Sequence, residues 1–528
     1  MTCSRFRRQA SPLPTLAAGC CCIVRTRRGR DCRQPEKAGM RKNARKDKNS
    51  PLTAQILKPD ICVIGAGAVG RSVAANAATT GATLVLAGNG AASDAHLRHP
   101  AVAVRALCAA AAHAHAIRRA PCFGVTSGEA EIDFRQVMRH VRNAASAVAP
   151  DTSDERLGAL GVRIVSAPAR FKDRHTAQAG EFEIRARHFV VATEAEAETP
   201  PLAGIEETSC LTAETIFALT RRPARLLITG GGHATLELAQ AFARFGSQVV
   251  VIGTPASLAA QDPEAVSILL RELRAEGVDI RDGAAAVRVE RKGRSGVRLH
   301  ILVDAGGEEV IDGTHLLILP ERKACASELE LRQAGIRFDQ DGIKVSDQMR
   351  TTNRKVYAIG DVTGGQQPTH AVARQAEIVL GAIVGKATAQ ANEPLPPRVI
   401  ATEPALASVG LTEAKARLRH KSIRVLRSAY AGNDRAQAEG RTAGFVKLVC
   451  DERGRILGVA MVGAEANELI GVWTLAVARG LTADDMSSYL PAYPSFGEIG
   501  KQAAAAYFTG KARASIMQRL TGRLRGSG

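Results

Sequence analysis

Aromatic side chains are scarce. Phe, Tyr and Trp make up 4% of the 528 residues, and there is a single Trp, so the interior has to be built from Ala, Val, Leu and Ile. Paired cysteines are missing as well. The chain has 11 cysteines, an odd number, and no C-x-x-C pair at zinc spacing, which excludes a zinc-ribbon or zinc-finger framework. Cys3, Cys20, Cys21, Cys22 and Cys32 crowd the start, while Cys62, Cys108, Cys122, Cys210, Cys325 and Cys450 are scattered through mostly apolar surroundings. Isolated thiols of this kind suit a reducing cytosol, and a cytoplasmic location is the expectation. His96, His99, His113 and His115 have no Cys or carboxylate cluster beside them, so no metal site is expected. The apolar stretch 13–24 is too short to span a bilayer, and no transmembrane segment is expected. The formal net charge of +19 is uneven: residues 1–50 hold 14 Lys or Arg against three acidic residues. A uniformly basic face on the folded part, and with it specific nucleic-acid binding, is not indicated.

What is present centres on residues 60–86. An apolar strand enters a Gly-x-Gly-x-x-Gly turn at Gly65, Gly67 and Gly70, a helix of small residues follows, and a second apolar strand closes the unit. Such a unit binds a dinucleotide. The first glycine permits the tight turn, the second leaves room for the pyrophosphate, and the third lets helix and strand pack closely. Peptide N–H groups at the helix start face the phosphates. One element is absent: the second strand ends at Ala87, where an acidic residue would hold a ribose hydroxyl.

A second unit begins at residue 224. Gly230 and Gly232 take the first two glycine positions and Thr235 stands at the third, while the following strand ends at Gly253, again without an acid. Farther on, an apolar strand runs into Gly360 and Asp361, a carboxylate well placed for polyol hydroxyls. A Pro-containing linker at 390–398 precedes a change of composition, with paired strands near 445–449 and 456–462 and helices near 467–478 and 498–507. The reading is an α/β chain with two Rossmann-like dinucleotide-binding domains and a C-terminal α+β domain. Its expected boundaries are a disordered basic leader at 1–56, a first dinucleotide-binding domain at 57–223 resumed at 346–390, a second at 224–345, the α+β domain at 391–510 and a basic tail at 511–528.

The order of these parts, with the signature at residues 402–413 and 444–448, resembles the flavin-dependent pyridine nucleotide–disulfide oxidoreductases, such as dihydrolipoamide dehydrogenase and mercuric reductase. The resemblance covers residues 58–508. It implies that Gly65, Gly67 and Gly70 hold the FAD pyrophosphate, that Asp361 binds the ribityl chain, and that Gly230 and Gly232 face NADH or NADPH. It implies that the two Rossmann-like domains are FAD/NAD(P)-binding, the first for FAD and the second for NAD(P), and that the C-terminal α+β domain is a dimerisation domain through which the chain forms a homodimer. It also places Glu237 near the flavin, with Arg105 roughly where the family has a lysine partner.

The departures from that pattern shape the functional expectation. Where the family carries a redox C-x-x-x-x-C, this chain has residues 93–101, with His96 and Ala101 roughly at the thiol positions and Cys108 alone two helical turns on. Without two thiols, electrons cannot pass by disulfide exchange. The family's His-Pro…Glu pair becomes Tyr493 and Glu498, and a phenol is a poor base at neutral pH. The family's Ala-Thr-Gly becomes Ala192, Thr193 and Glu194, a glutamate that would repel a pyrophosphate, and Glu321 replaces a later glycine. The expected function is an FAD-dependent NAD(P)H oxidoreductase that passes electrons to a quinone or other small-molecule acceptor. The alternative is an inactive homologue kept as a dimeric binding protein.

Overall fold

The computed structural model describes residues 55–89, 100–126, 128–148, 152–197, 201–294, 296–303, 306–320, 322–324, 327–364, 367–385 and 396–508. The first sheet has five parallel strands in the order Val356–Ala358, His188–Val191, Ile61–Ile64, Leu84–Ala87 and Val162–Val165. Parallel strands are covered on both faces, so each reads as a continuous apolar run. In Ile61–Ile64 the alternation of side chains divides the residues. Ile61 and Val63 face a core with Val73, Ala77 and Val379 of the helices Ala68–Ala78 and Thr369–Ile383. Cys62 and Ile64 face a core with Phe171, Ile184 and Phe189. That second core is closed by a four-stranded sheet ordered Gln55–Leu57, Phe182–Ile184, Ala177–Ala179 and Ala169–Phe171.

The second parallel sheet runs Val278–Arg281, Gln248–Ile252, Arg225–Gly230 and His315–Leu319. An antiparallel sheet of Ala285–Lys292, Gly296–Leu302 and Glu308–Gly313 covers one face, with Val289, Leu299 and Ile301 against Leu227, Val250 and Leu316. On the other face lie the helices Ala234–Arg244 and Pro263–Ala275, joined by Pro100–Arg119 and Phe134–Val148 from the earlier part of the chain. The third sheet is antiparallel: Arg398–Ile400, Ala405–Gly410, Ile456–Gly463, Phe445–Asp451 and Ile423–Ala429. Trp473 of the helix Ala466–Ala478 and Ile499, Ala503 and Tyr507 of the helix 497–508 pack on it. Two Rossmann-like domains and a C-terminal α+β domain are thus present in the expected order.

Two sequence-based expectations change. The boundary between residues 56 and 57 falls inside a strand, because Gln55, Ile56 and Leu57 pair with Phe182, Glu183 and Ile184. The rest of the expected leader lies outside the described residues, as does the 511–528 tail. The return to the first domain comes before residue 346, since Leu329, Leu331, Ile336 and Ile343 bury in the same core as Cys62, Val191 and Val356. One helical stretch, Pro100–Phe123, is long and apolar enough by length and composition to cross a membrane. Here one stripe of it is a packing face: Ala103, Leu107, Ala111 and Ala114 are buried among residues of Phe134–Val148 and Ala234–Arg244.

The second and third domains are joined by a buried ion pair. Lys447 Nζ lies 2.7 Å from Asp262 Oδ2, with the side chains 4% and 3% exposed, and 3.1 Å from Glu264. Beside it the Ser408 hydroxyl donates to Gln261 Oε1 at 2.7 Å.

Candidate functional site

Because the strands of the first sheet are parallel, their C-terminal ends gather at one edge. Gly65, Glu194 and Asp361 therefore come to the same edge from three distant stretches. Gly65 has φ +114°, a backbone that side-chain-bearing residues rarely adopt, and a Cβ there would lie 2.5 Å from the Ala192 carbonyl oxygen. A Cβ on Gly70 would lie 1.7 Å from the Gly65 carbonyl oxygen. The turn is therefore closed by backbone against backbone. Buried Arg71 braces it from behind, with Nε donating to the Ala66 carbonyl at 2.8 Å and the head group bonded to the Thr152 carbonyl and Asp154.

Gly67 is different. Added carbon at this position would first meet the Glu194 side chain, at 2.2 Å from Oε1. The Ala68 N–H, at the start of the helix, donates to Glu194 Oε1 at 2.9 Å. The space that Gly67 leaves is held by the chain's own carboxylate. The strand beside the turn ends at Ala87 and is followed by Gly88, so no carboxylate stands there for a ribose. Asp361 follows Gly360 in a short 3-10 turn, Gly360–Thr363, beside the helix start, and its Oδ1 accepts from the Gln367 N–H at 2.9 Å. The backbone of the turn and the Asp361 carboxylate fit an FAD, and Glu194 is the misfit.

In the second turn Gly230 has φ +155° and packs against the Leu319 carbonyl. Gly231 and Gly232 lead into the helix Ala234–Arg244. Thr235 fits at the third glycine position because its buried hydroxyl donates back to the Gly230 carbonyl at 3.3 Å. After Gly253 the Thr254 hydroxyl donates to Asp282 Oδ1 at 2.9 Å, which brings a carboxylate beside this strand end from a neighbouring strand; that carboxylate is already paired with Arg274. Glu321 lies outside the described residues.

Arg105 and Glu237 meet, though not as an ion pair. Glu237 Oε1 accepts the Ala401 N–H at 2.9 Å, and Arg105 Nη1 donates to the Ala401 carbonyl at 3.3 Å. The two side chains grip opposite faces of one residue of the third domain. Glu237 is 7% exposed. Burial raises its pKa, opposed by the Ala401 N–H and then by the positive charges of His233 and Arg105. Both residues line a cavity of about 190 Å³ together with Cys108, Arg244, Glu403 and Arg441. Arg244 is bonded to Glu276 and Glu403, and Arg441 to Glu403 and Glu465. Sequence reasoning missed this network. Its members, Arg244, Glu276, Glu403, Arg441 and Glu465, come from five separate stretches, and no local spacing marks them.

Tyr493 does not stand as a base. It is 74% exposed, and its phenol donates to Asp434 Oδ2 at 3.0 Å. That bond, followed by the charge of Asp434 itself, raises its pKa above the usual phenol value, so it holds its proton more firmly than the sequence reading assumed. Glu498 accepts the Ser495 N–H at 3.3 Å, as a side chain near the start of its own helix.

His96 lies outside the described residues, and Ala101 is exposed in the first turn of Pro100–Arg119. Cys108 is seven residues farther along the same helix, a rise of about 10 Å. Its Sγ donates to the Glu237 carbonyl at 3.7 Å, and burial, with the nearby Glu237 charge, pushes the thiol up to about 12. Cys62, Cys108, Cys122, Cys210 and Cys450, the described cysteines, are all free. Among the described residues no group of three or more His, Cys, Asp or Glu could hold a metal ion.

Comparison with known proteins agrees with this layout. The profile of the pyridine nucleotide-disulphide oxidoreductases matches residues 59–377, and that of their dimerisation domain matches residues 396–504. The chain is 30% identical over 459 residues to a dihydrolipoyl dehydrogenase of Bacillus subtilis, covering 85% of this chain and 96% of that protein. It is 28% identical over 451 residues to a mercuric reductase of Lysinibacillus sphaericus, covering 85% and 82%. The solved structure of LpdA from Mycobacterium tuberculosis superposes with a TM-score of 0.73 at 24% identity, over 86% of this chain and 99% of that one, which shows the shared fold. By its profile match, its relatives and its three-domain layout, the chain belongs to the pyridine nucleotide-disulphide oxidoreductase family.

Proposed function

We propose that the protein is an FAD-dependent NAD(P)H oxidoreductase that delivers electrons to a small acceptor other than a disulfide, such as a quinone. The observation that carries the second half of this reading is the helix Pro100–Arg119. Its described part has Ala101 near its start, and its one thiol, Cys108, is half-buried, bonded to the Glu237 carbonyl and pushed up to about 12 by burial. A thiol so raised is a poor nucleophile, and among the described residues no second cysteine is bonded to it.

The peptide groups at Gly65, Gly67 and Gly70 would hold the FAD pyrophosphate, and Asp361 its ribityl hydroxyls. When bound, FAD supplies two-electron chemistry between a nicotinamide and an acceptor. The peptide groups at Gly230 and Gly232 would face the nicotinamide dinucleotide. Glu237 and Arg105 would stand beside the reacting end, where their shared grip on Ala401 fixes both. Tyr493 and Glu498, on the C-terminal domain, would complete that end from a second copy in a homodimer, positioning an acceptor rather than taking a proton from it. A cytoplasmic setting accords with the free thiols.

Acceptor choice tests the reading. With NADH or NADPH as donor, a quinone or redox dye is expected to turn over while a small disulfide is not. Cys108→Ser should leave the quinone rate within about twofold, because the thiol takes no part in exchange. Disulfide turnover that disappears in Cys108→Ser would instead make Cys108 a redox thiol and refute the assignment. Glu194 on the Ala68 N–H favours a second reading, that of an inactive binding protein. That reading requires no turnover with any acceptor.

A further inference from the structure

We infer that Glu194 is a built-in competitor for the first dinucleotide turn, and that the affinity of the turn for FAD is set by displacement of this one side chain. The inference rests on the reading of that turn as an FAD site and goes beyond it by naming the residue that controls loading.

Three observations combine. The Glu194 carboxylate accepts the Ala68 N–H at 2.9 Å, and a helix start favours an anion by its unsatisfied N–H groups and its dipole. The three atoms nearest the room at Gly67 all belong to the Glu194 side chain, with Oε1, Cδ and Cγ at 2.2, 2.5 and 3.0 Å from an added carbon. The carboxylate and a pyrophosphate would therefore claim the same volume and the same donor. The cation built into this turn is also committed elsewhere. Arg71 spends its guanidinium on the Ala66 carbonyl, the Thr152 carbonyl and Asp154, so it does not offset repulsion between two anions. Glu194 is exposed, which makes it displaceable: it can swing into water with little desolvation cost. Displacement still gives up the contact to Ala68, and the departed charge stays near the phosphates. The turn is therefore built for a dinucleotide and held by an exposed internal substitute.

The test is FAD binding to the apo chain, followed by flavin fluorescence, for the native protein, Glu194→Gly and Glu194→Gln. Glu194→Gly removes charge and bulk and is expected to tighten FAD by at least about tenfold. Glu194→Gln keeps an acceptor for Ala68 but drops the charge, and should tighten FAD by about threefold. Riboflavin, which lacks the pyrophosphate, should gain nothing from either change. Ligand-free melting checks that the variants fold. FAD binding that is equal in all three chains, or absent from all three, overturns the inference. Tighter FAD in Glu194→Gly without reduction by either nicotinamide would uphold it while refuting the oxidoreductase reading.

Discussion

Lys447→Ala is expected to destabilise the folded chain by about 3–5 kcal/mol, because it strands a carboxylate between two domains. Asp262 is 3% exposed and faces Lys447 Nζ at 2.7 Å. Removing the ammonium leaves Asp262 with only its N-cap bonds, to the Glu264 and Ala265 N–H groups at 3.1 and 3.3 Å. Those two bonds soften the loss and favour the lower half of the range. The Glu264 and Glu413 carboxylates, at 3.1 and 3.7 Å from Nζ, would then repel Asp262, eased in part by their exposed partners Arg427 and Arg417. Denaturant unfolding would measure the change. A loss below about 1 kcal/mol would mean that water reaches the pair and screens it.

Gly70→Ala is expected to abolish dinucleotide binding and to cost about 3 kcal/mol, whereas Gly67→Ala should cost under about 1 kcal/mol. The contrast follows from what each methyl meets. At Gly70 the obstacle is the Gly65 carbonyl oxygen at 1.7 Å, held in place because Gly65 itself abuts the Ala192 backbone. The helix Ala68–Ala78 would have to lift from the strand, opening the core of Val63, Val73 and Ala77. At Gly67 the obstacle is the end of a flexible, exposed glutamate, which can rotate away. The helix gains about 1 kcal/mol in propensity from Ala at Gly70, far too little to offset the strain there, while Gly67 is the extended N-cap and gains none. Thermal or denaturant melting of both variants checks the order. Equal losses would show that the two glycines serve the same packing role.

What was legible in the sequence is what local chain geometry dictates. Strand, glycine turn and helix follow one another within residues 60–78, so Gly65, Gly67 and Gly70 could be placed from spacing alone, and so could Gly230 and Gly232. Asp361 could be found because it ends an apolar strand. The contacts that define the site cross long sequence distances. Glu194 reaches Ala68 across 126 residues because His188–Val191 pairs in parallel with Ile61–Ile64. The sequence indicated a charge conflict there but not that the carboxylate occupies the turn. Arg105 and Glu237 were expected to pair with each other. They meet through Ala401, a residue whose side chain carries no chemical signal. Tyr493 looked like a displaced base by position, and its donation to Asp434, 59 residues away, could not be read from the order of residues. The domain boundary near 345 failed for a similar reason: residues 329–343 are apolar enough for either core, and only packing assigns them to the first.

The measurement that bears most directly on the central claim is anaerobic titration of the FAD-loaded protein with NADH and then NADPH, watched across the visible flavin spectrum. At least one nicotinamide is expected to bleach the main flavin band, and addition of a quinone should restore it. No long-wavelength band from a thiolate against the flavin is expected, because burial pushes the Cys108 thiol up to about 12 and its Sγ is bonded to a backbone carbonyl. A flavin that neither nicotinamide reduces, or a reduced protein that shows the thiolate–flavin band, would contradict the account.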